Sequence, residues 1–313
     1  MRSQRQIYLL LGLIGHPVSH SLSPAMHLAA MKYVGRDGDY RLIDVVEDEL
    51  DAKLSAMHRE GYLGFNVTIP HKRAVYARCI GKSEEAMRTR AVNSVKIHPD
   101  GKMIGHNTDL PAFKQALESN FGDHIGDHIG DHIGDHFGNP VGTLNRRRAL
   151  ILGAGGAARS AVAALAEMDF QDIKLLVREP EKHTLGDFFY GDKLLAGETI
   201  KLVRSQDVVK VEFDPPELII NCTPLGQTSN ELPEWVDAVF KRAGERAFFF
   251  DMVYSKNELP TPMIEAAKQH GLTCVDGLEM LARQAALAFE FWTDKSVPPD
   301  VMLGALKEST AIS

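Results

Sequence analysis

The sequence predicts an α/β protein of two domains, each a mostly parallel sheet covered by helices. Three observations carry this expectation. Short apolar runs alternate with helical stretches through the first third of the chain, the pattern of strand–helix–strand units. The same alternation restarts near residue 146 with a strand, a glycine-rich turn and a helix. Between the two lies a repetitive tract, residues 122–138, that belongs to neither pattern. At 313 residues the chain is long enough for two domains of ordinary size.

YLLLGLIG (8–15) reads as a buried parallel strand. Two arginines precede it, as in a secretory signal, but no small-x-small cleavage site follows and the chain runs into HPVSHSLSP. SPAMHLAAMKYVG (23–35) is a helix with Ser23 as cap, Pro24 at the first helical position and Gly35 at its end. YRLIDVV (40–46) is a strand and EDELDAKLSAMHREG (47–61) a helix. LGFNVTI (63–69) is a third strand, broken by Pro70, and a helix starts at about Lys72. NSVKIHPDGKMIGHN (93–107) is a hairpin turning at Pro99-Asp100-Gly101, and another helix begins near Asp109.

The second half opens with RRALILGAGGAARSAVAALAEM (147–168) as strand, turn and helix. IKLLV (173–177), ELIINCT (217–223) and AFFFDMV (247–253) are buried strands. TPMIEAAKQHG is a helix, LTCV a strand, and LEMLARQAALAFEFW (278–292) a strongly apolar helix. The expected division is a first domain over 1–120, a linker over 121–145 and a second domain over 146–277. The C-terminal helices, 278–313, are expected to pack back onto the first domain.

Composition narrows the function. Apolar content of 44% and charge of 25% are those of an ordinary globular protein. A net charge of −7 argues against a nucleic-acid partner, and the one basic run, NRRR (145–148), flanks a strand. No apolar run approaches the roughly 20 residues of a membrane span. Cys79, Cys222 and Cys274 form no CxxC pair, which suits reduced thiols and a cytoplasmic protein.

LILGAGGAARSA contains Gly153-x-Gly155-x-x-Ala158 between a strand and a helix. The first glycine permits the tight turn, the second lets a pyrophosphate approach the backbone, and Ala158 allows close helix–strand packing. The helix N-terminus favours the phosphate charge. This assigns a dinucleotide site and makes the second domain a Rossmann domain. Its choice of dinucleotide depends on the end of the next strand, LLVREPEKH. A carboxylate there suits the ribose of NAD, and basic groups suit the 2′-phosphate of NADP. Arg178 and Lys182 stand with Glu179 and Glu181, so NADP and NAD both stay open.

Ligands of open α/β sheets sit beyond the carboxyl ends of the strands. In the first domain those ends carry Ser21 and Ser23, then Asn66 and Thr68 on one face by the two-residue period, then Lys72, Asn93, Asn107, Thr108 and Asp109. Such a set suits a small polyhydroxylated acid. Singly, each has a local explanation: Ser23 and Asp109 as helix caps, Asn93 as a turn residue.

The motifs GHPVSHSLSPAMH, GFNVTIPHK, AVNS, GHNTD, GAGGAARSA, NCTPLG, DMVYS and DGLEMLARQAALAFEFWT follow one another in this order. Over about residues 10–295 the chain thereby resembles the shikimate dehydrogenases, including their quinate/shikimate relatives. The resemblance implies an N-terminal substrate domain and a C-terminal Rossmann domain. It also implies NAD(P)-dependent hydride transfer between 3-dehydroshikimate and shikimate, with no metal. Lys72 would be the catalytic acid/base and Asp109 its partner. Ser21 and Ser23 would hold the substrate carboxylate with Tyr254, while Asn66, Thr68, Asn93 and Gln284 contact ring hydroxyls or the carboxylate. Gly153, Ala154, Gly155, Gly156 and Ala157 match the diphosphate loop, and Thr223, Val253 and Gly277 lie near the nicotinamide.

Some positions depart from the family's usual pattern. Leu110-Pro111 follow Asp109 in place of glycine, and Val177-Arg178-Glu179 replaces Asn-Arg-Thr. Gln227 follows Gly226, and Lys256 stands where proline is common. The alternatives are a dehydrogenase of quinate or another cyclohexane-carboxylate, and a non-catalytic dinucleotide-binding sensor. The partner expected is a small molecule, with the protein as monomer or homodimer.

GDHIGDHIGDHIGDHFG (122–138) places His124, His128, His132 and His136 four residues apart, each preceded by Asp. A helix would align these as ligands for zinc or nickel. A glycine in every repeat, however, costs about 1 kcal/mol each against helix. The tract reads instead as a flexible, tandemly duplicated linker inserted between the domains. Turnover is expected to survive both EDTA and deletion of residues 123–134; loss under both treatments would restore the metal reading.

Overall fold

The computed structural model describes residues 8–121, 148–184, 188, 200–227, 229–244, 247–254 and 260–311. The His/Asp repeat and Lys256 lie outside them. Two compact units result: among the described residues, one takes the chain to Ala112 and again from Leu278, the other Phe113 to Gly277.

In the first unit, β1 (Leu9–Gly15), α1 (Ser23–Tyr33), β2 (Gly38–Asp44), α2 (Leu50–Arg59), β3 (Gly64–Val67) and α3 (Lys72–Arg78) are followed by β4 (Gly81–Lys82), α4 (Glu84–Thr89), β5 (Ser94–Ile97) and β6 (Met103–His106). The sheet order is β2-β1-β3-β5-β6-β4. β5 alone runs against its neighbours, β3 and β6, because a short hairpin joins β5 to β6 and such a connection can only be antiparallel. Gly101, at φ +85°, supplies the left-handed residue of that turn.

Apolar residues on both faces of β1 are buried in two cores. Leu9, Leu11 and Leu13 join Met26 and Ala30 of α1, Ala285, Phe289 and Trp292 of α9 (Leu278–Thr293), and Met302 and Leu306 of α10 (Pro299–Ala311). Ile14, on the opposite face, joins Leu54 and Met57 of α2, Val75 of α3 and Ala86 of α4.

Ser23 is not the cap of α1. It is the first helical residue, the N-cap is Leu22, and no side chain of the cap position closes the helix end. Ser21 acts in its place. The Ser21 Oγ accepts from Ser23 N at 3.2 Å, because the chain before the helix brings Ser21 into reach. Gly35, at φ +63°, turns the chain out of the helix as expected.

In the second unit, α5 (Asp109–Phe121) gives its residues from Phe113 onward. β7 (Arg148–Leu152), α6 (Gly156–Glu167), β8 (Asp172–Val177), β9 (Ile200–Arg204) and β10 (Leu218–Asn221) follow. α7 (Glu234–Lys241), β11 (Phe248–Asp251), α8 (Pro262–Gln269) and β12 (Thr273–Val275) complete it. The sheet, β12-β11-β10-β7-β8-β9, is parallel throughout and reverses its winding between β7 and β10, the point where such sheets bind ligands. Phe113 meets Phe250 edge-on at 5.1 Å and Phe121 lies 4.4 Å from Phe248, which seals one face. β9 and α7 were not foreseen from the sequence; in IKLVR the charges of an exposed edge interrupt the apolar run that marks the other strands.

No helix among the described residues is long and apolar enough to cross a membrane. In the first unit Trp292 is fully buried and its Nε1 donates to Val95 O at 2.9 Å, directly over Gly64. A Cβ on Gly64 would stand 2.4 Å from Trp292 Cδ1 and 2.5 Å from Val95 O. Gly64→Ala is therefore expected to cost about 1–3 kcal/mol by overpacking, read as a lower urea midpoint.

Candidate active site

Three chain segments converge on one carboxylate in the first unit. Lys72 opens α3, Asn93 precedes β5, and Asp109 opens α5. Lys72 Nζ donates to Asp109 Oδ2 at 2.6 Å, and Asn93 Nδ2 donates to Asp109 Oδ1 at 2.7 Å. The side chains of Lys72 and Asp109 are 16% and 9% exposed, so the pair is largely withdrawn from water and weakly screened.

Asp109 is free for this because it does not cap its own helix. Asn107 does so instead: its Oδ1 accepts from Leu110 N at 3.1 Å. The Leu110-Pro111 departure fits the same arrangement. Leu110 is buried, and proline is tolerated in a first turn, where its missing N–H has no partner to lose.

Asn93 is likewise no turn residue. Its Oδ1 accepts from Thr108 N at 2.7 Å, and its Nδ2 also reaches Thr108 Oγ1 at 2.9 Å and Gln284 Oε1 at 3.5 Å. Its backbone carbonyl accepts from Asn66 Nδ2 at 3.1 Å. Ser21 Oγ donates to Ser23 Oγ at 3.0 Å, and Thr68 follows β3 with its N–H on Ile14 O at 2.9 Å. The unit thus gathers an ammonium, a carboxylate, amides and hydroxyls at the ends of its central strands. Thr108, already in the strand-end set read from the sequence, belongs to this network, and so does Tyr40, which that reading leaves out. Tyr40 gave no signal there beyond being an aromatic residue in a strand.

The second unit meets the requirements of a dinucleotide loop. Gly153 has φ +101°, and a Cβ on it would lie 2.9 Å from Thr223 Cγ2. Gly155 has open space around the place of a Cβ, and Gly156 starts the 12-residue α6, whose first N–H groups lack intrahelical partners. Ala154 and Ala157 are part-exposed beside them, while Ala158 is fully buried under the helix. Gly277 passes so close to Met252 O that a Cβ would stand 2.5 Å from it.

One buried carboxylate organises the neighbouring loops. Asp251 Oδ1 accepts from Asn221 Nδ2 at 2.9 Å and from Val253 N at 3.0 Å, and Oδ2 accepts from Thr261 Oγ1 at 2.5 Å. Asn221 Oδ1 in turn accepts from Thr223 N at 3.0 Å and Thr223 Oγ1 at 2.6 Å. Burial pushes the Asp251 carboxyl up to about 6 against the pull of these hydrogen bonds, with Asp276 adding to the rise. Tyr254, half-buried, also lies in this unit.

Two family descriptions match the chain: "Shikimate dehydrogenase substrate binding domain" over residues 13–95 and "Shikimate 5'-dehydrogenase C-terminal domain" over residues 277–307. The NADP(+) shikimate dehydrogenase of Crocosphaera subtropica is 35% identical over 301 residues, covering 96% of each chain. The chain belongs to the shikimate dehydrogenase family. Among solved members, the Thermus thermophilus shikimate 5-dehydrogenase in complex with shikimate matches 97% of this chain and 99% of its own, at 31% identity and a TM-score of 0.73. The quinate dehydrogenase of Corynebacterium glutamicum in complex with NAD matches 96% and 99%, at 25% identity and a TM-score of 0.77.

Within this family member, both acids of the loop after β8 are paired with cations, and Arg204 also lies 3.9 Å from Asp207. Glu179 is held by Lys182 at 2.8 Å, which keeps its carboxyl below the usual range. Glu181 is held by Arg204 at 2.6 Å, and the same guanidinium donates to Arg178 O at 2.9 Å. Arg204 ends β9 opposite Val177, so missing β9 in the sequence meant missing this third cation. Among the described residues no three His, Cys, Asp or Glu side chains cluster as metal ligands.

A folded-state carboxyl raised above its unfolded value adds stability below about pH 4 that is lost as pH climbs to about 6. Asp251→Asn removes that dependence. Relative to the parent, the variant should gain on the order of 3 kcal/mol between pH 4 and pH 7 in urea denaturation. A difference independent of pH would place the titration elsewhere.

Proposed function

We propose that the chain is a shikimate dehydrogenase that interconverts 3-dehydroshikimate and shikimate, with NADP as the preferred dinucleotide. The observation that carries the proposal is the withdrawn Lys72–Asp109 pair, 2.6 Å apart and surrounded by amides and hydroxyls. The nicotinamide supplies the hydride to the ketone carbon in one direction and takes it back in the other. In reduction, negative charge grows on the ketone oxygen; the Lys72 ammonium stabilises that charge and delivers the proton, while Asp109 holds the ammonium in line.

Ser21 and Ser23 are assigned to the substrate carboxylate, and Asn66, Thr68, Asn93 and Gln284 to its oxygens. Gly153 to Ala157, Thr223, Val253 and Gly277 are assigned to the dinucleotide. A 2′-phosphate would be met by Arg178 and, on breaking their pairs with Glu179 and Glu181, by Lys182 and Arg204, in keeping with the NADP(+) named for the Crocosphaera relative. Cys79, Cys222 and Cys274 form no disulfide among the described residues, which fits a cytoplasmic enzyme. Glu179 keeps a second reading alive, quinate oxidation with NAD, the cofactor named in the Corynebacterium quinate dehydrogenase complex.

Nicotinamide absorbance with shikimate and quinate, each with NAD and NADP, tests these readings together. The highest kcat/KM is expected for shikimate with NADP. Lys72→Ala should lose about 10²- to 10⁴-fold in kcat with a much smaller change in KM. Near-normal turnover in that variant would remove Lys72 from the chemistry, and no turnover of any pair by the parent would favour a dinucleotide sensor.

A further inference from the structure

Behind Asn66 lies a buried phenol with no assigned role. Tyr40, on β2, is 4% exposed, and its hydroxyl donates to Asn66 Oδ1 at 2.8 Å. Its ring is stacked on His27, with centroids 4.4 Å apart and planes 9° from parallel, and Trp292 and Phe289 close the other sides of the imidazole. Burial pushes the His27 imidazole down to about 3 against the opposing pull of the neighbouring Asn66 side chain, so it is neutral. Burial likewise raises the Tyr40 phenol well above its ordinary range, with the nearby Ser23 hydroxyl opposing the shift. The phenol is therefore a fixed, un-ionised donor.

A primary amide has one acceptor and two donor positions, and its polarity toward a ligand depends on what occupies the rest. Asn66 Nδ2 spends one hydrogen on the Asn93 carbonyl at 3.1 Å, an atom that can only accept. Tyr40 occupies Oδ1 from the opposite end of the amide. The position that neither Tyr40 nor Asn93 takes is the second N–H of Nδ2, beside the neutral His27 imidazole, a donor suited to a hydroxyl or carboxylate oxygen. Without the phenolic hydroxyl, Oδ1 is buried with one partner fewer, and the amide gains a reason to turn.

We infer that Tyr40 is a positioning residue: through its hydroxyl it holds the Asn66 amide so that the substrate meets a single, aimed N–H donor. The inference rests on the reading of Asn66 as a substrate contact and assigns the choice of donor over acceptor at that contact to Tyr40.

Tyr40→Phe keeps the ring and its stack on His27 and removes one oxygen. In this variant the KM for shikimate should rise about tenfold, the worth of one hydrogen bond of about 1.4 kcal/mol, with kcat and the KM for NADP within twofold of the parent. Tyr40→Phe/Asn66→Ala should be no worse than Asn66→Ala, because both act through one amide. An unchanged KM, a fall in kcat alone, or multiplying effects in the double variant would overturn the inference. The side-chain amide resonances of Asn66 in the ligand-free protein give a readout that needs no substrate. They should shift and exchange faster with solvent in Tyr40→Phe, which should still unfold cooperatively at a modestly lower urea midpoint. If shikimate is not turned over at all, the proposed function fails, and these resonances still decide the role of Tyr40: no change in them would refute it.

Discussion

A buried carboxylate must be paired, and the pairing of Asp109 organises the first unit. One oxygen takes the Lys72 ammonium and the other takes the Asn93 amide. Three segments far apart in sequence are thereby tied to one point: the start of α3, the approach to β5 and the start of α5. Leaving either side unpaired would strand a charge or a polar group away from water, at a cost of several kcal/mol. The same requirement that holds these segments together also places an ammonium beside a carboxylate in a polar pocket, so a structural demand and a chemical one are met by the same atoms.

The two units use related devices. In each, a buried acid near the carboxyl ends of the strands gathers loops that the backbone alone would leave loose. Asp109 collects side chains of opposite charge and amide character, whereas Asp251 collects only neutral donors, Asn221, Val253 and Thr261. Asp251 therefore carries the cost of burial without a compensating cation, which is why its carboxyl is raised toward 6. Through Asn221 it reaches Thr223, and Thr223 packs against the Gly153 turn, so the diphosphate turn and the neighbouring loops share one support.

Much of the fold was legible because burial leaves a periodic trace. The apolar runs at 8–15, 217–223 and 247–253 are strands covered on both faces, and the Pro99–Gly101 turn could only join antiparallel neighbours. β9 was not legible, since an edge strand with Lys201 and Arg204 has no such trace. Local capping rules misassigned Ser23, because they name a residue type near a helix start and not which of two serines three-dimensional reach selects. The pocket residues were placed by motif and strand end, but Tyr40 was not, because a tyrosine in a strand reads as core until its hydroxyl is seen to have a partner.

By itself the sequence determined the fold class, the glycine turn and the residue types that line the two strand-end sites, since periodicity, backbone freedom and composition are local properties. Tertiary structure alone decided that Asn107 and not Asp109 caps α5, that Arg204 joins Arg178 and Lys182, and that Tyr40 lies against Asn66. Each of these depends on which side chains meet across tens of residues, and hydrogen bonding between distant segments leaves no periodic mark in the chain.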